Sequence, residues 1–230
     1  MTLVENLMIN YVVISPTLSL LFTVIILLFC TITISTPMYI KKWVSFSGVL
    51  LTLFMVFLKF GLYSTDGISA YFSNMILSDP FSLVGNTLIA FILLFTFSSF
   101  WKTSELIESK TTEALILILM SASGFMLMVD SENFIMLFIG LEIGSISLYA
   151  LAGLNRGDQL SNEASLKYFL LGSLASCIFI YGIALLYVSL SIIGLYEINI
   201  AINYIGLNNV PLTSFIAVSY THLRAHETLP

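Results

Sequence analysis

Charge is what this sequence has least of. Asp, Glu, Lys and Arg make up 9% of its 230 residues while hydrophobic types make up 58%, against about 25% charged in an average soluble domain. With a mean hydropathy of +1.02, water is not its main solvent. Basic residues are scarcer than acids, eight against thirteen, for a net charge of -5. No basic patch exists to neutralise phosphates, which excludes nucleic acid as a partner. Only two cysteines occur, Cys30 and Cys177, both inside apolar runs, where they are expected as small buried hydrophobes rather than disulfide partners or metal ligands. Residues 1–10 lack a basic n-region and carry Glu5, so no cleavable signal peptide is expected. The short alternating segments of a transmembrane barrel are missing as well. Nothing supplies iron–sulfur ligands, a flavin site or a nucleotide loop.

What is there in abundance is continuous apolar sequence rich in Leu, Ile, Phe and Met. A bilayer core needs about 20 such residues per helix, and six segments qualify: about 12–36, 43–63, 80–101, 112–129, 133–154 and 165–193, with a seventh beginning at Pro211. The fold class is therefore all-α, a polytopic transmembrane helix bundle. The fourth and fifth spans are separated only by a turn around Asp130, Ser131 and Glu132, which forces them antiparallel.

Basic residues fall in alternate loops: Lys41 and Lys42 after the first span, Lys102 and Lys110 after the third, Arg156 after the fifth. The other loops hold Asp66, Asp79, Asp130, Glu132 and Glu197. By the positive-inside rule the basic loops face the cytoplasm or matrix and the N-terminus lies outside. Trp43 and Trp101, at inner span ends, are expected as interfacial anchors. Lys59, near the outer end of the second span, is expected to snorkel to the interface.

From Val218 the sequence VSYTHLRAHET breaks from the apolar pattern. It matches one reading frame through a transposon adaptor used in sequencing libraries, so residues 218–230 are expected to be a non-native tail. His222 and His226 have a spacing that could bind a metal on one helix face. The adaptor origin explains both without chemistry, and no metal site is expected.

Glu142 is the residue that most needs a reason. It is the tenth residue of the fifth segment, about 15 Å along a helix crossing a core of ~30 Å. Placing an acid there costs about 2.5 to 3.5 kcal/mol, and such residues usually face a bundle interior and mark ion or proton pathways. Ser145 and Tyr149 extend a polar stripe from it. Gly140 and Gly144 flank it, a small-xxx-small spacing that lets another helix approach and would enclose the acid. The alternative is a protonated glutamate making a structural hydrogen bond between helices. Lys167, near the basic-side start of the sixth span, is a second candidate. Its alternative is an ordinary rim pair, because Glu163 lies four residues before it in the favourable order.

The stretch from Ser131, SENFIMLFIGLEIGSISLYALAGLNR, and its continuation SNEASLKYFLLGSLASCIFIYGIALLY resemble the membrane subunit N of bacterial NADH-quinone oxidoreductase, whose mitochondrial counterpart is chain 2 of respiratory complex I. The specific elements are LFIGLE at 137–142, the serine-rich continuation to Tyr149, and EASLKY at 163–168. The resemblance covers most of residues 12–217. It implies an antiporter-like subunit that translocates protons, with Glu142 and Lys167 on the positions of the family's fifth-helix glutamate and sixth-helix lysine. The family's partner lysine in the seventh helix and the next basic residue in the eighth are not in this chain. Coupling would be electrostatic, with quinone reduction elsewhere changing which acids and lysines hold protons. On this reading the chain binds no cofactor: NAD, FMN, iron–sulfur clusters and quinone belong to the rest of the complex. Its partners are the other membrane subunits and the lipid bilayer, with no soluble small-molecule substrate. The location implied is the bacterial inner membrane, or alternatively the mitochondrial inner membrane. Competing readings are a subunit of a multi-subunit sodium/proton exchanger or membrane-bound hydrogenase, and a non-transporting structural or assembly protein.

Overall fold

A computed structural model of the chain describes residues 3–32, 37–66, 68–102, 108–190, 192–198 and 200. The seventh segment expected from Pro211, and the tail with His222 and His226, lie outside the described residues.

The apolar runs form six helices: α1 (Leu3–Ile32), α2 (Met38–Asp66), α3 (Pro80–Lys102), α4 (Glu108–Val129), α5 (Phe134–Ala152) and α6 (Gln159–Leu190). All six are long and apolar enough to cross a membrane. The boundaries differ from the hydropathy reading because polar residues extend a helix as readily as apolar ones. Thus α2 starts at Met38 rather than 43, α4 at Glu108 rather than 112 and α6 at Gln159 rather than 165, while α5 ends at Ala152 and α6 at Leu190. The chain is not wholly helical. Between α2 and α3 it forms an antiparallel hairpin, β1 (Ser69–Tyr71) with β2 (Ile76–Ser78), whose turn holds Phe72, Ser73 and Asn74 at φ of 52°, 56° and 63°.

The helices α1 to α4 share one apolar core, in which Leu20, Leu27, Val49, Ala90 and Leu119 are fully buried. A second cluster joins α5 to α6 through Leu141, Ala175, Phe179 and Ile183. Large apolar side chains such as Phe22, Phe57, Phe95 and Leu174 point outward, the inside-out surface that lipid requires.

The two halves meet along α4 and α5, and glycine makes this contact possible. A Cβ on Gly124 would sit 2.4 Å from the backbone nitrogen of Gly144, and one on Gly140 would sit 2.6 Å from that of Met128. The helices therefore touch backbone to backbone.

The turn between them is a junction rather than an exposed loop. Leu77 donates its N–H to the Asp130 carbonyl (2.8 Å), Glu132 donates to Met75 (2.9 Å), and Leu195 donates to Glu132 (2.8 Å). The hairpin thus packs on one side of the turn and the segment after α6 on the other. We call this the hairpin end. At the opposite, basic end, Lys110 donates to Asn155 (2.7 Å) and Arg156 lies 3.9 Å from Glu113.

Candidate functional site

Glu142 sits in mid-helix on α5, half-buried against α6, and its Oε1 accepts a hydrogen bond from the Ser176 hydroxyl. The acid faces a neighbouring helix, as its cost in lipid demands. What encloses it differs from the glycine argument. Residues two positions either side of Glu142 lie about 200° around a helix of 3.6 residues per turn, and Gly140 and Gly144 indeed pack on α4. The glycines lock α5 from behind, while α6 covers the acid in front.

The polar stripe is also divided. Ser145 is fully buried, but its hydroxyl donates to the Leu141 carbonyl of its own helix. Tyr149, 5% exposed, does share the α6 side with Glu142. Its ring meets Tyr168 edge-on with centroids 4.6 Å apart, and a Cβ on Gly172 would lie 1.9 Å from its phenolic oxygen. Gly172 is what lets the phenol enter the α5–α6 interface. The Tyr149 carbonyl accepts from Ser165 (2.8 Å). One face of α6, Ser165, Gly172 and Ser176, therefore carries the helix contact and the partner of Glu142. Ser176 could have been found as a small polar residue on the α6 face turned away from Lys167.

Lys167 is not brought to Glu142. It pairs with Glu163 at 2.5 Å with both side chains well exposed, which is the rim-pair arrangement. Cys177 is exposed on α6 rather than buried, and Cys30 is half-buried. Trp43 is exposed beside Phe46, as an anchor should be.

The largest correction concerns Lys59. It does not snorkel: it is fully buried, and its Nζ donates to Asp130 Oδ1 at 2.6 Å. Asn86 of α3 donates to the same oxygen at 2.7 Å. The reason is position, because Lys59 lies on the face of α2 that meets α3 and the α4–α5 turn, and an ammonium so placed finds a carboxylate closer than the interface. Burial pushes the Asp130 carboxyl up to about 6, with Asp79 adding to the rise and Lys59 and Asn86 opposing it.

Among the described residues, no group of three or more His, Cys, Asp or Glu is placed to hold a metal.

Six helices fit to cross a membrane, one with an acid in mid-span, define a polytopic helical membrane protein, and residues 131–222 match the transmembrane family NADH:quinone oxidoreductase/Mrp antiporter. Two solved structures share the fold: a chain of an archaeal membrane-bound sulfane sulfur reductase (TM-score 0.73, 21% identity, 92% of this chain and 43% of that one) and a chain of respiratory complex I from Thermus thermophilus (TM-score 0.68, 25% identity, 90% and 42%).

Within that class the chain is similar to subunit N of NADH-quinone oxidoreductases. It is 49% identical over 117 residues to subunit N 1 of Chloroherpeton thalassium (50% of this chain, 24% of the relative). It is 38% identical over 158 residues to subunit N of Bartonella bacilliformis (66% and 31%) and 31% over 176 residues to that of Cupriavidus taiwanensis (75% and 35%). The aligned part is about a quarter to a third of these relatives.

Proposed function

We propose that this chain carries part of the proton path of the membrane arm of NADH-quinone oxidoreductase, with Glu142 as its proton-binding group. The observation that supports this is the placement of Glu142: mid-span, between two helices, with a hydroxyl donor and no basic neighbour bonded to it among the described residues. An interface held by glycine on one side and Ser176 on the other positions a carboxyl to exchange a proton with a further helix. Lys167 serves from the rim, where its charge is held by Glu163. Ser145, Gly140 and Gly144 support the site by shaping α5, and Tyr149 by filling the interface beside it. Redox cofactors and quinone are assigned to other subunits, and the partners are those subunits and lipid. The bacterial relatives favour the bacterial inner membrane, with the basic end cytoplasmic and the N-terminus outside.

The test is Glu142→Gln in the full-length subunit within the assembled complex, reconstituted into vesicles. Quinone reduction and assembly are expected to persist while the number of protons moved per electron falls. An assembled variant that pumps like its parent removes Glu142 from the path, and would favour a structural role for the chain.

A further inference from the structure

Resting on that reading, the geometry points to a second proton-handling site: we propose that Asp130, with Lys59 and Asn86, is a proton-transfer station at the hairpin end of the bundle, opening toward the cavity lined by Asp79 and Glu132. The three residues come from α2, α3 and the α4–α5 turn, and each is at most 1% exposed. A buried ion pair is weak evidence for stability, because a well-packed apolar substitute is often as stable or more so. Intramembrane ionisable residues call for a functional reason by default.

Two further observations indicate polar space beside the pair. Asn86 spends its amide on Asp130, while its Oδ1 is buried with no protein partner. The Ser78 hydroxyl is likewise buried without a protein partner, one residue beyond Leu77, whose N–H holds the Asp130 carbonyl at 2.8 Å. Buried polar atoms of this kind normally bind internal water. The next residue, Asp79, lines a cavity of about 690 Å³ together with Glu132, Asn74 and Glu197. The groups acting on the Asp130 carboxyl are thus Lys59 from α2, Asp79 before α3 and the Asn86 amide of α3.

The chemistry is a single proton exchange. The Asp130 carboxylate forms an O–H bond with a proton from a hydronium ion, leaving water, and the reverse step returns the proton to water in the cavity. The Lys59 side chain opposes the rise caused by burial and so keeps the carboxylate from holding the proton too tightly. Asn86 fixes the carboxyl oxygen in place. With Glu142 about half a membrane away on α5, the chain would hold a mid-span site and an end site on one route.

The deciding variant is Lys59→Gln with Asp130→Asn in the full-length subunit of the assembled complex. It keeps hydrogen-bonding capacity and removes both charges together, so no unpaired ion is buried. Protons moved per electron should fall by as much as in E142Q, with quinone reduction retained and the pH profile of proton release altered. A charge-free pair that pumps normally overturns the proposal. Should the double variant not assemble, Asn86→Leu leaves the ion pair in place and removes the lone polar oxygen: slowed proton release supports the station, and an unchanged rate overturns it. Normal pumping in these variants with loss in E142Q would leave the Glu142 reading standing. Loss here with normal pumping in E142Q would instead move the path away from Glu142.

Discussion

Among the described residues stand two lysine–carboxylate pairs of nearly equal length and opposite surroundings. Lys59 and Asp130 lie 2.6 Å apart with side chains 0% and 2% exposed, whereas Lys167 and Glu163 lie 2.5 Å apart with side chains 68% and 58% exposed. Distance alone does not rank them. In the first, water is replaced by helix packing and the charges depend on each other. In the second, solvent and the i, i+4 geometry do most of the holding. The comparison teaches that the pair written into the local sequence is the weak one, and the pair assembled by the fold is the one on which three elements depend.

The largest effect should come from breaking the buried pair on one side. Lys59→Met leaves the Asp130 carboxyl buried without its counter-charge, and removal of one partner from such a pair costs about 3 to 5 kcal/mol. Adding Asp130→Leu to the same chain should recover most of that loss, because the stranded group is gone. Thermal unfolding in detergent across the four members of this cycle measures the coupling. If the single variants and the double simply add, the two residues are independent and the junction is held by backbone pairing alone.

The helices were legible in the sequence because lipid demands long apolar runs, and little else produces them. Glu142 stood out for the same reason, as an acid with no apolar excuse. Lys59 was equally anomalous, but its partner lies 71 residues away, and nothing local distinguishes a lysine that reaches the interface from one that reaches a turn. Three polar residues near the same end of successive segments, Lys59, Asn86 and Asp130, were the available signal. The glycine faces were accessible too: helical geometry alone sets Gly140 and Gly144 opposite Glu142. The hairpin at 69–78 was hidden because strands of three residues are too short to show alternation. Ser176 was visible as a small polar residue on the α6 face turned away from Lys167, but its bond to Glu142 required knowing that this face meets α5.

A smaller effect separates the pairs by pH. In the folded chain the Asp130 carboxyl is raised from 3.8 to about 6, so the unfolded chain ionises first as pH rises. The contribution of this group to stability is complete below about 3.8 and is lost as pH rises through about 6. The melting temperature of the parent, compared with that of Asp130→Asn, should therefore gain as pH falls from 7 to 4. A difference that stays constant across that range would mean that Asp130 titrates like an exposed carboxylate.

The smallest effect belongs to the exposed pair. Lys167→Ala removes an ammonium that is already solvated, and Glu163 needs no replacement partner because water supplies one. Melting temperature should not change measurably, and protons moved per electron in the assembled complex should fall less than in E142Q. A loss as large as that of E142Q would show that Lys167 leaves Glu163 and acts inside the path, turned inward by a helix packed against the exposed face of α6. The two pairs would then differ in when they are buried, the first from folding onward and the second only within the complete assembly.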